Sequence, residues 1–438
     1  LAHPERFPKT IIQLVDQYTT NLQRQDIHFD HAEAARHIGF ISIMPPVDNE
    51  FANKLIIVQD WQAFLFANIY GWKKKNGTRK YKRVYLQIAR KNSKTTTSAM
   101  LSIDNAVMDP KNGGQILFAA TSLEQAQLCF SMAKRMAEAM RTMYKSFDRI
   151  CKTWVRSVEF TDTSTVLRAV SADPQGTEGM GAKMAVIDEV HVHKNSDLIN
   201  SIQKGMVVHD SPLLIQITTA GYNKEEDAPA YQLYQYSKKI LAGTLDDDGL
   251  FSMIWEVEET DDWNDPAVWG KANPNLGLSP KLENLLEEYQ QAKNLGGAKE
   301  VDFKIKHLNM WVDSAVTWVS RERWCAAQLT TWPHELMFIT QKFTTGPSDK
   351  ELSGWAGLDL ASVHDFTSLC IEVVFKGMSF VVWKFYLPEN TVRTHPNENY
   401  RIWAREGHIT VTPGNATDYN YVKKDIVDLY EIGAIRGV

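Results

Sequence analysis

Four short apolar runs constrain what this chain can fold into: VYLQI (84–88), QILFAAT (115–121), KMAVID (183–188) and PLLIQITT (212–219). Each is rich in Val, Ile or Leu and gives way to small or polar residues. A strand with one wetted face alternates polar and apolar residues, so unbroken runs predict strands buried on both faces, as in a parallel sheet covered by helices. The stretch SLEQAQLCFSMAKRMAEAMRTMYKSF (122–147) between two of the runs carries a helical period. An α/β fold with a mostly parallel central sheet follows.

At 438 residues the chain exceeds the length at which one hydrophobic core keeps growing, so two domains are expected. With 44% hydrophobic and 23% charged residues, disordered and fibrous classes are excluded. Cys129, Cys151, Cys325 and Cys370 are scattered without a C-x-x-C pair, which argues against a disulfide framework or structural zinc. The opening LAHPERFPKT has no apolar signal segment and no run of 18 apolar residues occurs, so a reducing cytoplasm and no membrane association are expected. Net charge is −5, yet residues 71–94 hold ten Lys/Arg and no Asp/Glu, either a solvated face or one that meets phosphates.

Apolar spacing over 10–38 predicts a helical N-terminal lid or arm within 1–50, ahead of a main domain at 51–340. From about Leu245 the chain turns acidic and rich in Trp, Asn and Pro, so 245–300 reads as a peripheral segment outside the sheet. Residues 341–354 have linker composition. In 355–438, WAGLDLA (355–361), SLCIEVVFK (368–376) and MSFVVWKFYL (378–387) read as a strand meander, with a hairpin turn near Lys376-Gly377.

Chemistry concentrates first in LQIARKNSKTT (86–96). Laid on the phosphate-loop frame G-x-x-x-x-G-K-[ST], it puts Ile88 and Ser93 at the glycine positions, with Lys94 and Thr95 in place. A non-glycine residue in a left-handed conformation costs roughly 1–2 kcal/mol, which a fold can absorb. The stretch Arg90, Lys91, Asn92, Ser93, Lys94, Thr95 and Thr96 is then a nucleotide-binding candidate, with Lys94 for phosphate and Thr95 for Mg²⁺. A basic loop with a chance Lys-Thr is the alternative. KMAVIDE (183–189) ends an apolar strand in Asp188, suited to Mg²⁺, and Glu189, suited to orienting or deprotonating water. Thr218-Thr219 end another run and could couple to a γ-phosphate. Gln62 stands 32 residues before Lys94, where several motor ATPases read the adenine edge. His191 and His193 could form a metal pair, but with no third ligand in sight a coupling or structural role is favoured. In GLDLASVHDFTSL (357–369), Asp359 stands in an apolar strand, where a carboxylate needs a partner or metal, and Asp365 follows across a polar turn.

In order along the chain, ARKNSKTT, AATSLEQA, GMGAKMAVIDEVHVH, TTAGYN, WGKANPNLG and GLDLASVHDFTSL resemble the large terminase subunit of tailed double-stranded-DNA bacteriophages, from about Asp60 onward. The family's phosphate loop is often glycine-poor with an early Arg, which Arg90 matches and Ser93 departs from. The resemblance implies a RecA/ASCE-like P-loop ATPase using ATP and Mg²⁺, followed by a ribonuclease-H-like nuclease using Mg²⁺ or Mn²⁺. It implies double-stranded DNA, the procapsid portal protein and a small terminase subunit as partners, and a homo-oligomeric ring, of five subunits, acting in the host cytoplasm and at the portal vertex. Carried over, Lys94 and Thr95 bind phosphate and Mg²⁺, Asp188 binds Mg²⁺, Glu189 activates water, Thr218 and Thr219 couple, and Asp359 binds nuclease metal. Arg156 and Arg168 are candidates for an arginine finger. The sequence stops at YEIGAIRGV, where the family's next nuclease strand would begin, so an incomplete nuclease domain is expected. A D-E-x-H helicase is the rival reading, and a non-catalytic DNA-binding or capsid-docking protein using 71–94 is another.

Overall fold

The four unbroken apolar runs lie in one sheet. The computed structural model describes residues 3–47, 55–109, 113–170, 180–222, 224, 228–312, 321–328, 331–340, 344–361, 365–395 and 398–438. The chain divides into two compact units, Leu1–Ser320 and Arg321–Val438, a boundary ahead of the 341–354 segment.

In the first unit, β1 (Ile27–Phe29) and β2 (Trp72–Lys74) form an antiparallel ribbon. The main sheet contains β3 (Arg83–Gln87), β4 (Gln115–Ala119), β5 (Cys151–Thr153), β6 (Val158–Phe160), β7 (Thr165–Val170), β8 (Ala182–Asp188), β9 (Leu213–Thr218) and β10 (Leu250–Ile254). Their order is β10-β3-β9-β8-β4-β7-β6-β5; the first six are mutually parallel and the β7-β6-β5 end is antiparallel. Every residue of β9, and every residue of β8 before Asp188, is buried, which is why those runs show no alternation. Helices α1 (Lys9–Asn21), α2 (His31–Ser42), α3 (Asp60–Gly71), α4 (Lys94–Met108) and α5 (Leu123–Met143) complete what the site needs. The Ser122 hydroxyl caps α5 by accepting from Gln125 N at 3.2 Å.

Two expectations change here. Residues 10–38 are not one helical arm: β1 separates α1 from α2, and Ile11 and Leu14 join the same core as the sheet. Segment 245–300 is not wholly peripheral, because β10 is a sheet strand paired with β3; LFSMI is as apolar and buried as the four runs, but an acidic turn precedes it. In the basic 71–94 stretch, for which the sequence left open a solvated face or one that meets phosphates, four of the ten cations, all ahead of the loop, are taken up by ion pairs. Lys73 pairs with Glu33 (3.3 Å), Arg79 with Asp109 (2.9 Å), Lys80 with Asp248 (3.4 Å) and Arg83 with Asp247 (2.6 Å).

Lys80 is the most buried of these, and its Nζ donates to Asn21 Oδ1 and Tyr81 Oη, each at 3.1 Å. Burial pushes its ammonium down from 10.5 to about 8 against the pull of Asp248. Between those values the unfolded chain holds more protons than the folded one, so stability rises with pH across that window. Lys80→Met removes this rise, of up to about 3 kcal/mol. Urea titrations of both proteins just below pH 8 and near pH 10.5 check it; equal pH slopes would contradict the assignment.

In the second unit, β11 (Trp355–Asp359), β12 (Thr367–Phe375), β13 (Met378–Pro388) and β14 (Ile409–Thr412) form a sheet in that order, antiparallel except for the parallel β13–β14 pair. Lys376 (φ 51°) and Gly377 (φ 78°) make the two-residue turn between β12 and β13, as the sequence predicts. Residues 434–437 run parallel beside β11, with Gly354 N donating to Ala434 O and Ala356 N to Gly437 O, both at 2.8 Å. Leu369, Ile371, Val373, Phe380 and Tyr386 cover one face together with Val422 and Leu429 of the helix Tyr419–Glu431. An antiparallel meander with a parallel addition at β11 agrees with a ribonuclease-H-like nuclease domain and not with a helicase's second parallel-sheet motor. No described helix is long and apolar enough to cross a membrane.

Candidate active site

The strand-to-helix turn after β3 comprises Ile88–Ser93, and α4 starts at Lys94. Ser93, at the second glycine position, has φ 60°, and Lys91 has φ 64°. Both take the left-handed conformation that glycine adopts freely, at roughly 1–2 kcal/mol each. Ile88, at the first glycine position, instead prolongs the strand, its N–H donating to Thr218 O at 3.1 Å. The first turn of α4 faces this loop with unpaired N–H groups and the positive end of its dipole, which favours an anion.

Lys94 is buried, and its Nζ donates to Ile88 O (2.9 Å) and Ala89 O (3.2 Å). Burial pushes its ammonium down to about 8, while Glu189 and Asp188 pull the other way. Thr95 and Thr96 are half-buried on the first turn, and Arg90 and Lys91 are exposed. Thr97 donates to Ser93 O (2.9 Å) and accepts from Gln62 Nε2 (2.9 Å). Gln62 is buried, and its Oε1 also accepts from Gln59 N (3.1 Å) in the box that caps α3, so both ends of its carboxamide are engaged.

β9 lies between β3 and β8, and the parallel registers put Gln87 level with Thr218 and Ile217 level with Asp188. The carboxyl ends of these strands therefore bring the loop, the Thr pair and the acid pair together, as expected at such a sheet edge. Asp188 Oδ1 accepts from Glu189 N (3.0 Å), and Oδ2 accepts from Cys129 Sγ on α5 (3.3 Å). Burial and the neighbouring Glu189 charge raise the Asp188 pKa. Burial opposes ionisation of Glu189 too, but His191, Lys94 and Arg90 outweigh it and hold its pKa below the ordinary value. Glu189 is itself left-handed (φ 51°), and its buried Oε2 accepts no hydrogen bond although His191 Nδ1 stands 3.2 Å away.

His191 links the acid pair to the Thr pair. Its N–H donates to Thr218 Oγ1 (3.0 Å), and its Nδ1 lies 3.0 Å from the same oxygen. Thr218 already donates its hydroxyl proton to Thr219 O (2.8 Å), so the shared proton belongs on His191 Nδ1. His193 is buried, with an unpartnered Nε2, and burial lowers its pKa against the pull of the Asp188 backbone. Among the described residues no three His, Cys, Asp or Glu converge on a metal position.

The donor set fits a nucleotide with its cation: a helix start, a buried ammonium, an orphaned carboxylate oxygen on Glu189 and the half-buried carboxylate of Asp188. The sequence reading missed Cys129 and the Asn residues that hold the site from afar. Asn309, buried, accepts from Ala220 N (2.7 Å) and donates to Trp255 O, tying the end of the Thr motif to β10. Asn273, Asn275 and Ser279 reach the phosphate loop from the WGKANPNLG side. The available signal was Asn within a Trp-rich stretch, where a buried amide requires a dedicated partner.

Of the finger candidates, Arg168 is half-buried and donates to Gln115 Oε1 (2.7 Å), whereas Arg156 is exposed on the β5–β6 turn beside Trp154 (53% exposed) and Val155 (86%). In the second unit Asp359 is not enclosed in its strand: it faces solvent, level with Ser368 and Phe385, on the open face of the sheet. Its pattern looked buried because β11 carries apolar residues that the fold leaves exposed, Trp355 and Leu358 among them. Asp365 is exposed and accepts from Phe366 N (2.8 Å); residues 362–364 between the two acids lie outside the described residues.

Residues 60–239 match the terminase large subunit ATPase domain, and residues 244–434 match the terminase large subunit endonuclease domain. The second match opens before β10, which the structure nonetheless hydrogen-bonds into the first unit's sheet. Protein YmfN of Escherichia coli K12 is 32% identical over 255 residues, 57% of this chain and 54% of that protein. The terminase large subunit of Enterobacteria phage HK97 is 25% identical over 353 residues, 78% of this chain and 64% of that one. The chain thus spans a little over half of the one relative and just under two thirds of the other. The crystal structure of the HK97 bacteriophage large terminase shares the fold, with TM-score 0.54 and 24% identity over 92% of this chain and 78% of that chain. Two consecutive domain matches over this fold decide the assignment: the chain belongs to the terminase large subunit family.

Proposed function

We propose that this chain hydrolyses ATP to move double-stranded DNA into a procapsid, and that its second unit belongs to a metal-dependent endonuclease that cuts concatemeric DNA. The observation that carries the proposal is the meeting of buried Lys94, the Thr218-Thr219 pair and the Asp188-Glu189 pair at the carboxyl ends of three neighbouring parallel strands. Lys94 exchanges its two loop carbonyls for phosphate oxygens, and Arg90, Lys91, Asn92, Ser93 and Thr96 supply further charge, N–H groups and hydroxyls. A divalent cation, Mg²⁺ on this reading, bound by Thr95 and Asp188 would neutralise phosphate charge. Glu189, ionised and with a free oxygen, orients the attacking water and takes its proton. His191 then carries the change at Glu189 to Thr218 and Thr219. For Gln62 to read the adenine edge, its carboxamide must release Gln59 or Thr97.

Asp359, with Asp365 as a lesser candidate, contributes to an Mg²⁺ or Mn²⁺ nuclease site. The motor's partners are the portal protein and a small terminase subunit, and it works as a ring of five copies at the portal vertex in the host cytoplasm. Exposure favours Arg156 over Arg168 as the residue offered to a neighbouring copy. A finger in trans is worth roughly 10³–10⁵ in rate, so the isolated chain is expected to be slow. ATP turnover measured alone, with double-stranded DNA and with portals tests the reading. Stimulation by both supports it; no turnover and no nucleotide binding under any of these conditions removes it.

A further inference from the structure

Residues 91–93 are gripped one by one from a segment 181 to 188 positions further along the chain. Ser279 Oγ donates to Lys91 O (2.8 Å). Asn92 Nδ2 donates to Asn273 Oδ1 (2.8 Å), and Asn92 Oδ1 accepts from Asn275 N (3.1 Å). Asn275 Nδ2 donates to Ser93 Oγ (3.3 Å). The gripping side is anchored in turn: Trp61 Nε1 donates to Asn275 Oδ1 (2.7 Å), and Asn273 Nδ2 donates to Trp269 O (3.0 Å) and His307 O (2.7 Å). Asn92, Asn273 and Asn275 are at most 4% exposed, and every amide oxygen and nitrogen among them has a partner. Three buried carboxamides are costly unless they are so paired, and once paired they fix one geometry.

The residues that this network brackets are the two that need bracketing. Lys91 and Ser93 have left-handed backbones without being glycine, and Asn92 sits between them. We infer that Asn92, Asn273, Asn275 and Ser279 are positioning residues that clasp the loop and hold Lys91 and Ser93 left-handed, replacing the conformational freedom of glycine. The loop N–H groups are thereby set before nucleotide arrives, which lowers the ordering cost of binding. The inference rests on the reading of 88–95 as a phosphate site.

The test reads the Kd of a fluorescent ADP analogue, with a thermal melt for every variant. Asn275→Ala is expected to weaken binding about tenfold, since the freed Ser93 returns to its preferred right-handed conformation. Adding Ser93→Gly to Asn275→Ala is expected to recover most of that loss, because glycine needs no clasp. A merely structural Asn275 predicts no such rescue. Ser279 is exposed, so Ser279→Ala tests the same idea without threatening the fold. Lys91→Gly, itself the reference because it also removes a charge, is the background in which Ser279→Ala is expected to cost nothing further. Folded variants that bind like the parent, or losses that glycine does not recover, overturn the clasp. A folded parent and a folded Ser93→Gly that both fail to bind overturn the phosphate-site reading itself, and the clasp with it.

Discussion

Glu189→Gln lowers ATP turnover by roughly 10²–10⁴ and leaves nucleotide affinity nearly unchanged. The expectation follows from two properties of this carboxylate. Its neighbours His191, Lys94 and Arg90 keep it ionised despite burial, and its Oε2, 3.2 Å from His191 Nδ1 and closed to solvent here, makes no hydrogen bond that a water proton would have to displace. Gln has the same shape and preserves the left-handed backbone at 189 as well as Glu does, but its amide cannot accept that proton. The loss therefore falls on kcat and not on binding. Phosphate release and analogue binding on the same preparation separate the two; turnover within tenfold of the parent would mean that another group is the base.

Lys94→Met is the second large effect, and here binding is what disappears. Hydrogen bonds to charged groups are worth about 1.5–3 kcal/mol each, so losing the ammonium weakens nucleotide binding by at least about 10². Stability moves the other way or not at all. Because burial holds the Lys94 pKa near 8, keeping the ammonium charged at neutral pH costs the folded state up to about 3 kcal/mol, offset in part by its bonds to Ile88 O and Ala89 O. Met fills similar volume with neither the charge nor the donors. Titration calorimetry with ATP and a thermal melt check both halves; a melting temperature several degrees lower would make Lys94 a structural residue first. A residue that binds at the expense of stability is the pattern expected of a functional site.

Much of this was legible because it is local. The unbroken runs at 84–88, 115–121, 183–188 and 212–219 all entered the sheet, since burial on both faces leaves no reason for alternation. The Lys376-Gly377 turn was legible for the same reason, its geometry being set by the two residues themselves. The basic stretch stayed open between two readings because charge on paper carries no partner, and Asp247, Asp248 and Asp109, which pair Arg83, Lys80 and Arg79, come from other parts of the chain. Asp359 misled because an apolar strand was taken for a buried one, while the fold leaves that face open.

Sequence by itself determined which residues are candidates for the chemistry: a lysine and hydroxyls after one buried strand, an acid pair after another, a threonine pair after a third. Tertiary structure alone decided how a loop without glycine is held left-handed at two positions. Left-handed backbones at Lys91 and Ser93 leave no trace in composition or period, and their support comes from Asn273, Asn275 and Ser279, which reach the loop only once β10 has docked beside β3. Patterns of period 2 or 3.6 report which face is buried; hydrogen bonds across more than 180 residues depend on strand order, which no local pattern encodes.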